Sequence, residues 1–78
     1  MPEVFRKDGF IFFFYSNENS EPMHIHVRKA SGFAKFWIYP IELDCSKGMK
    51  SNDISEAEVL IKENVELIKE KWYAVFGY

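Results

Sequence analysis

Two segments in the middle of the chain, Met23-His24-Ile25-His26-Val27-Arg28 and Phe33-Ala34-Lys35-Phe36-Trp37-Ile38, alternate apolar and polar residues with period two. Successive side chains of a strand point to opposite faces, so both segments predict half-buried β-strands. Lys29-Ala30-Ser31-Gly32 joins them as a tight turn. With Ala30-Ser31 at the tip, Val27 falls opposite Ala34, Ile25 opposite Phe36, and Met23 opposite Ile38. That register gathers the apolar side chains on one face. The other face, expected to be wet, receives Arg28 beside Phe33, His26 beside Lys35, and His24 beside Trp37.

Upstream, Val4-Phe5-Arg6 reads as a short strand, and Asp8-Gly9 is the strongest hairpin signal in the chain. A two-residue turn there pairs Lys7 with Phe10, Phe5 with Phe12, and Val4 with Phe13. The run Phe10 to Tyr15 is apolar on both faces, which marks a strand covered on both sides or one that awaits a partner. A polar loop follows to Pro22, with Asn17, Asn19 and Ser20 as turn formers. Pro40 ends the fourth strand, and Ile41 to Cys45 can add a short fifth.

From Asp53 the spacing becomes helical, opening on an Asp-x-x-Glu capping box at Asp53 and Glu56. Ala57, Leu60, Ile61, Val65, Ile68, Trp72, Val75 and Phe76 form one stripe, Glu58 and Lys62 pair on the wet side, and Gly77 stops the helix. The expected architecture is α+β. An antiparallel four-stranded meander (about residues 3–6, 10–15, 23–28 and 33–39) packs on one long C-terminal helix (about 53–76), all in a single domain spanning 1–78.

Composition narrows the function classes. A chain of 78 residues supports one domain, and 47% hydrophobic with 18% aromatic residues gives it a rich core for its size. Cys45 is the only cysteine, so no internal disulfide forms, which suits a reducing cytoplasm. The N-terminal residues lack the apolar core of a signal peptide, and the six residues Phe10 to Tyr15 are too few to cross a bilayer. A net charge of −2 gives the whole molecule no nucleic-acid signature. The acids are concentrated in the helix, however, and the strands are mildly basic.

The unusual feature is the run His24-x-His26-x-Arg28, flanked across the hairpin by Lys35, Trp37 and Phe33. Alternation sets the two imidazoles about 6.5–7 Å apart along one strand face. Three readings compete. In the first, His24 and His26 act as acid and base on a phosphate ester, and Arg28 and Lys35 hold its charge. Trp37 or Phe33 stacks a base, a set sufficient for metal-independent RNA cleavage. In the second, the histidines chelate a metal with Cys45, Asp44 or Glu42. No paired-ligand spacing supports this and the adjacent cations oppose it, so no metal and no cofactor is expected. In the third, the face is an ordinary sheet surface or a protein interface. The doubly apolar second strand favours a partner, either a cognate small protein or a second copy.

Several pieces occur together in one order: Met-Pro-x-Val-x-Arg at the start, Phe12-Phe13-Phe14-Tyr15-Ser16-Asn17, Pro22-x-His24-x-His26-Val27-Arg28, Ala34-Lys35-Phe36-Trp37, and a glutamate-rich last helix. The chain thereby resembles the small bacterial family known as domain of unknown function 4160. Met23 departs from the family pattern, in which a second proline often precedes the first histidine. The resemblance implies a small prokaryotic protein encoded beside a second one, often of domain of unknown function 2442. It further implies a toxin–antitoxin pair in which this chain is the toxin. No catalytic residues come with it.

Overall fold

A computed structural model describes residues 2–15 and 20–77. Five strands form one antiparallel sheet in sequential order: β1 (Glu3–Lys7), β2 (Phe10–Phe13), β3 (His24–Lys29), β4 (Gly32–Ile38) and β5 (Ile41–Lys47). Two helices follow, α1 (Ser51–Glu63) and α2 (Val65–Phe76).

The β3–β4 hairpin has the register that its alternation predicts, with His24, His26 and Arg28 paired to Trp37, Lys35 and Phe33. Asp8 and Gly9 turn the first hairpin with φ of 53° and 85°, as a type I′ turn requires. The fifth strand is fully formed. It returns from β4 through a two-residue loop holding the cis Tyr39-Pro40 bond, and Ile38 pairs with Ile41.

Five sequence expectations need correction. Glu3, not Val4, stands opposite Phe13, because Val4 is an extra residue in a β-bulge. The bulge lets Val4 and Phe5, neighbours in sequence, both reach the core. Strand β2 stops at Phe13, two residues short of the expected end.

The single long helix is two helices meeting at Asn64, whose φ of −120° leaves the helical region. The Asn64 side chain donates to the Leu60 carbonyl at 2.8 Å, competing with the backbone for the ladder. The first helix also opens at Ser51 on Lys50, without a side-chain cap. Asp53 is used elsewhere: it accepts from Lys29 Nζ at 3.2 Å and ties the β3–β4 turn to α1. Gly77 ends α2 in the left-handed region as expected, its N–H bonded to the Tyr73 carbonyl. The turn formers Asn17 and Asn19 lie outside the described residues.

The core lies on one face of the sheet. Phe10, Phe12, Phe14, Ile25, Val27, Ala34, Phe36 and Ile38 meet Ala57, Leu60, Ile61, Ile68 and Trp72. Val75, counted in the expected stripe, is exposed. The first helix lies toward edge strand β5 and the second toward β1, so the broken pair spans the sheet. Among the described residues the opposite face carries no helix. Among the described residues no helix is long and apolar enough to cross a membrane.

Candidate functional site

The helix-free face is laid out in rows across the strands. One row runs Phe13, His26, Lys35, Cys45; the next runs Ile11, Arg28, Phe33, Lys47; a third holds His24, Trp37 and Glu42. The first row, with Arg28 and Phe33 of the second, lines an open cleft of about 440 Å³, together with Tyr15 and the turn Ala30-Ser31-Gly32. Gly32 is required there: a Cβ would stand 2.4 Å from the Gly48 carbonyl oxygen.

His26 sits at the centre of the cleft, half-buried. Its ring stacks on Phe13 at 5.6 Å and meets Tyr15 at 4.6 Å. Arg28 is exposed, with its guanidinium 5.6 Å from the Phe13 ring centroid. Among the described residues no carboxylate lies within ion-pair distance of Arg28. Phe33 and Tyr15 stay partly open to solvent as aromatic walls. An imidazole, a guanidinium and stacking surfaces therefore share one concavity.

The other three expected groups, His24, Lys35 and Trp37, are placed differently. His24, expected on the wet face beside His26, is 0% exposed. Trp72 of α2 packs on it at 5.4 Å, with Trp37 at 5.7 Å and His26 at 5.2 Å. The His24 Nδ1–H donates to the Pro22 carbonyl at 2.8 Å, which fixes the tautomer because a carbonyl only accepts. A ligand in the cleft thus meets His26 and not His24.

Lys35 is already engaged. Its Nζ lies 2.8 Å from Glu21, 3.7 Å from Asp44 and 4.5 Å from the Trp37 ring centroid. Lys35 therefore lies over one face of the half-buried Trp37 ring. Phe13, from the doubly apolar strand, is 2% exposed because its neighbours on the same face cover it. The bare patch expected there is correspondingly small.

Cys45 is exposed, lines the cleft, and pairs in register with Lys35. Among the described residues no group of three His, Cys, Asp or Glu side chains is placed to hold a metal ion. Sequence reasoning considered Cys45 only as a metal ligand and did not count Tyr15 or Phe13 among the substrate-contacting residues. The row arithmetic across four strands would have found Phe13, but the bulge that aligns Cys45 leaves no signature in the sequence.

The molecule is thus an α+β protein with a sheet covered on one side and a chemically furnished cleft on the other. Residues 9–73 match the family described as Domain of unknown function (DUF4160), and the chain belongs to that family. No curated protein and no solved structure matches it.

Proposed function

We propose that this chain is the RNA-acting member of a two-protein toxin–antitoxin-type pair, and that it binds single-stranded RNA in the cleft on its open sheet face. The observation that carries this reading is the convergence of His26, the exposed Arg28 and the aromatic walls Phe33 and Tyr15 in one cleft. Single-stranded RNA is held by stacking its bases on aromatic rings and neutralising its phosphates, and an open antiparallel sheet suits both.

Arg28 is the primary phosphate contact, and Lys35 joins it when phosphate displaces Glu21. His26 is the imidazole that can take the proton of a ribose 2′-hydroxyl. The freed oxygen then attacks the neighbouring phosphorus, and the departing 5′-oxygen takes a proton from water in the open cleft. His24 supports the His26 ring from behind and touches no substrate.

A second reading is favoured by the Lys35–Glu21 pair at 2.8 Å, which neutralises one of the two cations nearest His26. On that reading the face docks a cognate small protein or a second copy, with Tyr15 and Phe33 as anchors, and catalyses nothing.

Growth after induced expression separates the two, using wild type, His26→Ala, Arg28→Ala and the helix-surface control Lys62→Ala, with circular dichroism to confirm folding. Arrest by wild type and Lys62→Ala, relieved in both cleft variants and accompanied by RNA loss, supports the RNA reading. Equal growth of all four strains, or arrest with intact RNA, removes it.

A further inference from the structure

A second, smaller hollow of about 190 Å³ lies beside the cleft, walled by Pro22, Met23, Trp37, Tyr39 and Pro40, with Glu42 on its lining. Its position is set by the sheet. Phe33, Lys35 and Trp37 follow one another along the same face of β4, about 6.5–7 Å per step. Trp37 therefore stands one step beyond Lys35, which lines the first cleft, and two beyond Phe33. A nucleotide step along an extended single strand is of the same order, so one strand can occupy both hollows.

The walls of the hollow are flat and apolar, and they are held in place. Tyr39 and Glu66 keep the neighbouring Lys69 ammonium above the ordinary lysine range, and Glu66 pairs with it at 3.2 Å. The Lys69 Nζ lies 5.3 Å from the Tyr39 ring centroid, yet Tyr39 remains 63% exposed. Glu42 stands opposite Trp37 in register, and among the described residues it has no cation partner. An ionised carboxylate only accepts hydrogen bonds, so a flat occupant must offer donors along its edge. Guanine offers two adjacent N–H donors that match a carboxylate fork. Adenine and cytosine each offer a single amino group, and uracil a single ring N–H.

We infer that the Trp37–Tyr39 hollow is a nucleobase subsite, that Glu42 is its specificity-determining residue, and that guanine is the preferred base. This rests on the RNA reading of the neighbouring cleft. The test measures binding of the short RNAs UUGUU, UUAUU, UUCUU and UUUUU to the full chain, with the Trp37 indole N–H resonance as a site-specific reporter. Wild type should bind UUGUU about tenfold more tightly than UUUUU, as a bidentate base contact allows. Glu42→Gln, which keeps the size but loses the two-acceptor fork, should erase that preference while still binding UUUUU. Arg28→Ala should weaken all four RNAs alike.

Equal binding of the four RNAs by wild type, unchanged in Glu42→Gln, overturns the subsite and leaves the RNA reading standing. Absence of binding to any of them overturns both. N-acetyl-arginine amide serves as a competing probe. If it shifts the Trp37 resonance saturably and the RNAs do not, the hollow is a site for a cationic side chain, and the base assignment is wrong.

Discussion

The rings of His24 and Trp72 meet at 66° with centroids 5.4 Å apart, and this contact decides which histidine a ligand can reach. Trp72 is itself 2% exposed and packs on Phe14 and Phe76 at 5.3 and 4.3 Å. One helix side chain thus joins the core to the back of the open face.

The two histidines should therefore separate cleanly by mutation. His24→Ala removes a fully buried ring and leaves the Pro22 carbonyl without its donor. It should lower unfolding free energy by about 2–3 kcal/mol. His26→Ala truncates a half-exposed ring on the open face and should cost within about 1 kcal/mol. Urea denaturation of both variants checks this; equal losses would mean that His26 is as structural as His24.

Gly32 carries a sharper steric constraint. A methyl group there would overlap the Gly48 carbonyl oxygen at 2.4 Å and crowd the Met49 Cα at 3.0 Å. Both contacts are backbone and cannot swing aside. Gly32→Ala should destabilise by about 1–3 kcal/mol and loosen the link between β5 and α1. Thermal unfolding reads the first effect, and amide exchange in residues 47–50 reads the second.

Much of the sheet was legible because period two leaves no freedom: once Ile25, Val27, Ala34 and Phe36 must share a face, the register of β3 and β4 follows. Features that depend on tertiary closure were not legible. The burial of His24 depends on where α2 places Trp72, which no local pattern encodes. The break at Asn64 depends on one side chain winning a backbone carbonyl, in a segment whose apolar stripe runs on without interruption. The bulges at Val4 and Asp44 each insert one residue and shift which side chains line up, as Cys45 shows. The cleft opens on the face that alternation assigned to His26 and Arg28, while a helix tryptophan covers His24 and a carboxylate pairs with Lys35.

The Arg6–Glu3 pair gives a pH prediction with a definite sign. A 2.7 Å hydrogen bond from Arg6 holds the Glu3 carboxyl below its ordinary value of 4.5. A depressed folded pKa adds stability that is present above the unfolded value and lost as pH falls through the folded one. Glu3→Gln should therefore lower neutral stability slightly and make the acid limb below about pH 4.5 shallower, so that the two proteins converge in acid. Because both side chains are exposed, the difference should vanish in high salt. Urea midpoints across the acid range at low and high salt check this, and a difference that survives high salt would contradict it.

Arg28 makes the last prediction, because its charge is the one in the cleft without a carboxylate partner among the described residues. If it contacts RNA phosphate, binding must release about one counterion that the variant does not release. Arg28→Ala should reduce the slope of log affinity against log salt by about 0.7, the single-strand value for one phosphate contact. Lys62, paired with Glu58 at 3.0 Å on the far helix surface, provides the control, and Lys62→Ala should leave the slope unchanged. Lys35→Ala is the more informative comparison. Displacing Glu21 and binding phosphate exchange one ion pair for another, so its slope change should be smaller than that of Arg28→Ala. Equal slope changes for the two residues would show that Glu21 does not hold Lys35 in solution. No slope change for either would place the RNA backbone away from this face.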